Sequence, residues 1–132
     1  MSKDKTININ GKIFKEKDLN EKAKSLVLSL EVINEEIQRI EKKLAIAKTA
    51  RNAYGISLSP NLPEKEAAKN KKKDVVSINN KIYSYEDMNE KAMADIMSIS
   101  VVDKKIASLE SDLAITKTAK NLYSKSLIEE VK

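Results

Sequence analysis

The chain has 132 residues, of which 41% are apolar and only 4% aromatic, so a thick globular core is not expected and an elongated helical assembly is. No apolar run approaches the roughly 18 residues of a membrane span, and the opening MSKDKT lacks the apolar stretch of a secretory signal, so a cytoplasmic protein with no membrane partner is expected. Cysteine and histidine are both absent, which removes disulfides, thiol chemistry and the commonest metal ligand and general base, and no cofactor is expected.

The net charge of +5 comes from 25 basic and 20 acidic residues interleaved along the chain, and 23 of the basic residues are lysine. Such a pattern reads as solvated helix surface rather than a specific nucleic-acid interface. Only Arg39 and Arg51 offer the planar fork that suits bidentate phosphate or guanine recognition.

In chain order, the first element is a β-hairpin over residues 5–16, where TININGKIF is broken at Asn10-Gly11. Asn-Gly favours a two-residue type I′ turn, because both central residues need positive φ. Ile7, Ile9 and Phe14 then share one face, which gives the hairpin a side to bury. Asp18-x-Asn20-Glu21 follows as a helix-start signal, with Asp18 as the acid of a capping box or Asn20 as the cap. A helix is predicted over 19–58. Residues 59–74 contain both prolines and the cluster Lys71 to Lys73 and read as a flexible solvated linker.

The pattern then repeats. A shift of 69 residues aligns Ile7–Leu58 with Val76–Leu127, and 23 of the 52 pairs are identical, so the chain is a tandem duplication. Repeat 1 is 1–58 and repeat 2 is 75–132, with a second hairpin at 75–85, a cap candidate at Asp87 or Asn89, and a second helix at 88–128. In this hairpin Val76, Ile78 and Tyr83 share the face to be buried.

The helices carry an apolar heptad stripe. In the first it runs Leu26, Leu30, Ile33, Ile37, Ile40, Leu44, Ala47, Arg51, Tyr54 and Leu58. In the second it runs Asp95, Ile99, Val102, Ile106, Leu109, Leu113, Thr116, Lys120, Tyr123 and Leu127. The linker is too short to lay the helices comfortably parallel, so the expected fold is mainly α (α+β): two hairpin and long-helix repeats, the helices paired as an antiparallel coiled coil, the hairpins at opposite ends. Pairing the stripes so that partner numbers sum to 146 sets Arg51 against Asp95, Tyr54 against Ala92 and Tyr123 against Ala23. Arg51 and Asp95 are thereby expected to form a partly exposed structural ion pair.

The quoted hairpin, the D-L-N-x-K-A-K start and the L-A-x-x-K-T-A-R-N-A-Y segment, here ending in Thr49 to Tyr54, together resemble a family of short, functionally uncharacterised proteins of bacteria and their viruses. That family normally carries one hairpin-helix copy. The resemblance implies two fused copies and, on the viral side, a host or virion partner met in the host cytoplasm. The second copy departs at Asn80, in the place of glycine, and at Lys120, in the place of arginine.

Three functions compete. The first is a non-enzymatic interaction or assembly module, which needs no reactive residue and displays two related surfaces per chain. A second stripe, Ile46, Ala50 and Ala53 with Ile115, Ala119 and Leu122, adds the expectation of a homo-oligomer alongside a still undefined protein partner. The alternative is a protein that sequesters a small anion or nucleotide. Its cations, hydroxyls, amides and rings would be Lys48, Thr49, Arg51, Asn52 and Tyr54, with Lys117, Thr118, Lys120, Asn121 and Tyr123 as twins. An enzyme is the third and is not expected, since Glu35-Glu36 and Glu129-Glu130 read as solvated helix surface.

Overall fold

A computed structural model describes residues 5–132. Residues 1–4, the start of the stretch read above for a secretory signal, lie outside the described residues. Strands β1 (Thr6–Ile9) and β2 (Lys12–Lys15) precede the long helix α1 (Glu21–Leu58), and β3 (Val75–Ile78) and β4 (Lys81–Ser84) precede α2 (Glu90–Glu130). The chain is mainly helical, with two small antiparallel hairpins, as expected. No helix among the described residues is long and apolar enough to cross a membrane.

Each hairpin closes as its turn residues dictate. Asn10 and Gly11 have φ of 53° and 84°, and Asn79 and Asn80 have 52° and 67°. Asparagine tolerates this region by bonding locally, and the Asn8 carboxamide accepts from Gly11 N–H at 3.0 Å. The register pairs Ile7 with Phe14 and Val76 with Tyr83. Of these faces Ile9 and Tyr83 are buried and the rest are half-buried, so the expected buried side is present.

The helix starts are set by Asn20 and Asn89 rather than by Asp18 and Asp87. Asn20 Oδ1 accepts from Ala23 N–H at 2.8 Å and Asn89 Oδ1 from Ala92 N–H at 2.7 Å. Both aspartates end short 3₁₀ turns, Glu16–Asp18 and Tyr85–Asp87, one step too early to reach the orphan amides of the helix. Asn89→Ala is expected to lower stability by about 1 kcal/mol in chemical denaturation, with Asn89→Ser close to the parent.

The contacts divide the chain into two units, the first joining the chain up to Lys43 with Leu109–Lys132, the second being Leu44–Ser108. In the first, Ile9, Leu19, Ala23, Val27 and Leu127 form a buried cluster, packed about by Ile7, Phe14, Leu26, Leu30, Ile128 and Val131. Here the start of α1 meets the end of α2. Asn20 Nδ2 donates to Glu130 Oε1 at 2.9 Å, and Lys22 Nζ lies 3.5 Å from Glu130 Oε2.

In the second unit the end of α1 meets the start of α2. Arg51 reaches Asp103 (Nε to Oδ1, 2.6 Å), Ser57 Oγ donates to Asp95 Oδ2 (2.6 Å), and Asn89 Nδ2 donates to Asn61 Oδ1 (3.3 Å). Numbers rise on one helix as they fall on the other, so within this unit the segments run antiparallel.

The expected register is corrected by these bonds. Arg51 does not pair with Asp95 but with Asp103, and Asp95 sits buried against Ser57. Bonded partners sum to 154 (Arg51 with Asp103), 152 (Ser57 with Asp95) and 150 (Asn61 with Asn89, Asn20 with Glu130) against the expected 146, a slip of four to eight residues, or one to two helical turns. An apolar stripe that returns to one face every three to four residues offers partners after slips of one or two turns alike, so periodicity alone cannot choose. Size complementarity at the ends misled: Leu127, not Tyr123, joins Ala23 in the buried cluster, and Tyr123 is left exposed.

The linker also differs from expectation. Ala67 N–H donates to Ile82 O at 2.8 Å, and Lys71 Nζ bonds Glu86 Oε1 at 3.2 Å. Residues 59–74 are therefore fastened to the second hairpin rather than free.

Candidate functional site

The second unit contains a groove of about 630 Å³. One wall is the end of α1 and the residue after it (Arg51, Gly55, Leu58, Ser59), another β3 and the start of its turn (Val76 to Asn79), and a third α2 (Ile96, Ile99, Ser100, Asp103, Lys104). Its body is apolar and its charged groups are Arg51, Asp103 and Lys104, the arrangement of a recognition site with a few orienting polar groups.

One feature of the sequence keeps this space clear. Gly55 lies inside α1, where glycine costs about 1 kcal/mol relative to alanine. A Cβ built on it would meet nothing within 4 Å, so its bare backbone leaves room in the groove rather than relieving a clash. The twin position is Ser124. In the first unit a smaller cavity of about 140 Å³ is lined by Ile9, Asn10, Lys12, Phe14, Ile128, Val131 and Lys132.

The charged groups are already partly committed. Arg51 holds Asp103 through Nε and more loosely through Nη2 (3.5 Å), with both side chains about half exposed, so the pair contributes only about 0.2 to 1 kcal/mol. Lys104 has no ion pair among the described residues. The other arginine, Arg39, forks onto Glu36 at 2.6 and 2.9 Å, and that hydrogen bonding holds the Glu36 carboxyl below its ordinary range. Neither guanidinium is presented open to an anion.

Of the candidate residues in the repeated segment, only Arg51 lines the groove. Lys48, Thr49 and Asn52 are exposed along α1, and Tyr54 is half-buried. On α2, Lys117, Thr118, Asn121 and Tyr123 are exposed and Lys120 is half-buried; none borders either cavity. Thr118 Oγ1 is turned to its own helix, donating to Ala114 O at 2.9 Å. The sequence reading missed Gly55, Ser77 and Lys104. A mid-helix glycine replaced by serine in the twin copy was the available signal for the first.

No family model matches the chain, and no curated protein or solved structure is significantly similar to it.

Proposed function

We propose that the chain is a non-enzymatic interaction or assembly module whose second unit docks a partner protein in the groove bounded by α1, β3 and α2. The observation that carries this reading is the groove itself: a concave apolar site with a charged margin, bordered by a helix glycine whose missing side chain no clash requires. The chain is further assigned, on its resemblance to the hairpin-helix proteins of bacteria and their viruses, to that family, with a host or virion protein as partner in the host cytoplasm.

The test is capture from host lysate by the wild-type chain and by Gly55→Leu, a variant that fills the groove with a better helix former. Proteins held by the wild type and lost by the variant support the reading. Equal recovery by both chains contradicts it. The alternative, a small anion or nucleotide held by the repeated Lys-Thr-Ala-Arg/Lys-Asn segments, has less support, because those residues share no cavity and Arg51 is engaged by Asp103. A nucleotide recovered with the wild type and lost on Arg51→Ala would favour it.

Self-association belongs to the same proposal. Ile46 in the second unit, and Ile115 and Leu122 in the first, are 71%, 69% and 66% exposed, which a second copy of the chain would cover. Sedimentation at micromolar concentration is expected to show an oligomer that Leu122→Lys dissociates. A wild-type monomer at that concentration contradicts it.

A further inference from the structure

We infer that the partner enters the groove as an extended peptide, which adds a third strand to the second hairpin along the outer edge of β3; the inference rests on the groove being the interaction site.

The register identifies the edge that is open. In an antiparallel pair, residues opposite each other either exchange both backbone bonds or both turn them outward. Ile82 is opposite Ser77, and its carbonyl points outward, because it accepts the Ala67 N–H of the linker at 2.8 Å. Ser77 must therefore turn its own N–H and C=O outward, on the other side of the sheet. Val76 and Ile78 from one face of the pleat and Ser77 and Asn79 from the other all line the groove, which therefore runs along the free edge of β3. The hairpin has two strands only, so no strand covers β3 there. Ser77 is exposed, and no other segment among the described residues hydrogen-bonds its backbone.

The hairpin's β4 edge is already occupied at Ile82 by a backbone bond from the linker, which leaves β3 as the edge open to a partner strand. The walls state the chemistry of the occupant. Ile96, Ile99 and Leu58 suit apolar side chains, which a strand presents at alternate positions. The unpaired Lys104 suits a carboxylate, since Asp103, the acid beside it, is held by Arg51. The occupant is an extended segment of a partner protein, apolar at alternate positions and carrying an acidic residue.

The test selects peptides on the wild-type chain from a displayed library of random short peptides. The recovered sequences are expected to alternate apolar and polar residues with at least one Asp or Glu. They should bind Ser77→Ala like the wild type, but Ser77→Pro, which lacks the outward N–H, about tenfold more weakly. Independently of any variant, amide exchange at Ser77 of the wild-type chain should slow when a selected peptide is added. Apolar residues at helical spacing, or an unchanged Ser77 amide, overturn the strand addition. If such peptides still fail to bind Gly55→Leu, the groove stands as the interaction site and only the strand mode falls. If they are indifferent to Gly55→Leu as well, both fall.

Discussion

Asp95→Lys is expected to destabilise the chain by about 3 to 5 kcal/mol, whereas Asp95→Leu is expected to be neutral or stabilising by up to about 2 kcal/mol. Asp95 is only 4% exposed, with a hydrogen bond from Ser57 Oγ at 2.6 Å and the Lys91 ammonium 3.8 Å away. A lysine there would bury a cation, remove the acceptor of Ser57 and set like charges one helical turn apart. Leucine is what the first copy carries at the twin position, Leu26, while the twin of Ser57 is again a serine, Ser126. The hydroxyl that Asp95→Leu leaves behind can turn to the carbonyl four residues back, as Thr116 and Thr118 already do. Urea unfolding of the three proteins checks this. A loss above about 2 kcal/mol for Asp95→Leu would show that the acid, rather than its burial, stabilises the fold.

The second large effect tests the helix register in the first unit. Leu127→Ala is expected to lower stability by about 2 to 5 kcal/mol, because Leu127 is 5% exposed within the cluster of Ile9, Leu19, Ala23 and Val27. Tyr123→Ala is expected to cost less than about 1 kcal/mol, since Tyr123 is 37% exposed. The slip in register reverses the ranking that the sum-of-146 pairing implies, where Tyr123 covers Ala23. Unfolding midpoints at constant denaturant dependence decide between them; a larger loss for Tyr123→Ala would restore the earlier register.

What the sequence made legible was whatever local physics determines. The Asn-Gly turn, the alternation Ile7, Ile9, Phe14 and the stripe through Ile37, Ile40 and Leu44 each specify their element, and these residues are buried or half-buried as expected. The repeat made the second copy readable from the first. The register was not legible, because an apolar stripe that recurs every three to four residues offers partners after slips of one or two turns alike. It is marked instead by polar bonds at the helix ends, Asn20 with Glu130 and Asn89 with Asn61. These pairs occupy twin positions, yet 110 and 28 residues separate their members, so no local pattern links them. The groove was hidden for the same reason. It draws on α1, β3 and α2, and one residue that borders it, Gly55, contributes an absent side chain. The Lys-Thr-Ala-Arg/Lys-Asn segment attracted the search for a site because it repeats, and repetition marks the shared fold as readily as a shared function.

The most direct measurement is an amide chemical-shift map of the isotopically labelled wild-type chain, titrated with a protein recovered by the wild type but not by Gly55→Leu. Shifts are expected at Ser77, along Arg51 to Ser59 and along Ile96 to Lys104, the three walls of the groove. Shifts confined to the first hairpin, or to the exposed residues Ile46, Ile115 and Leu122, would contradict the groove as the site of interaction.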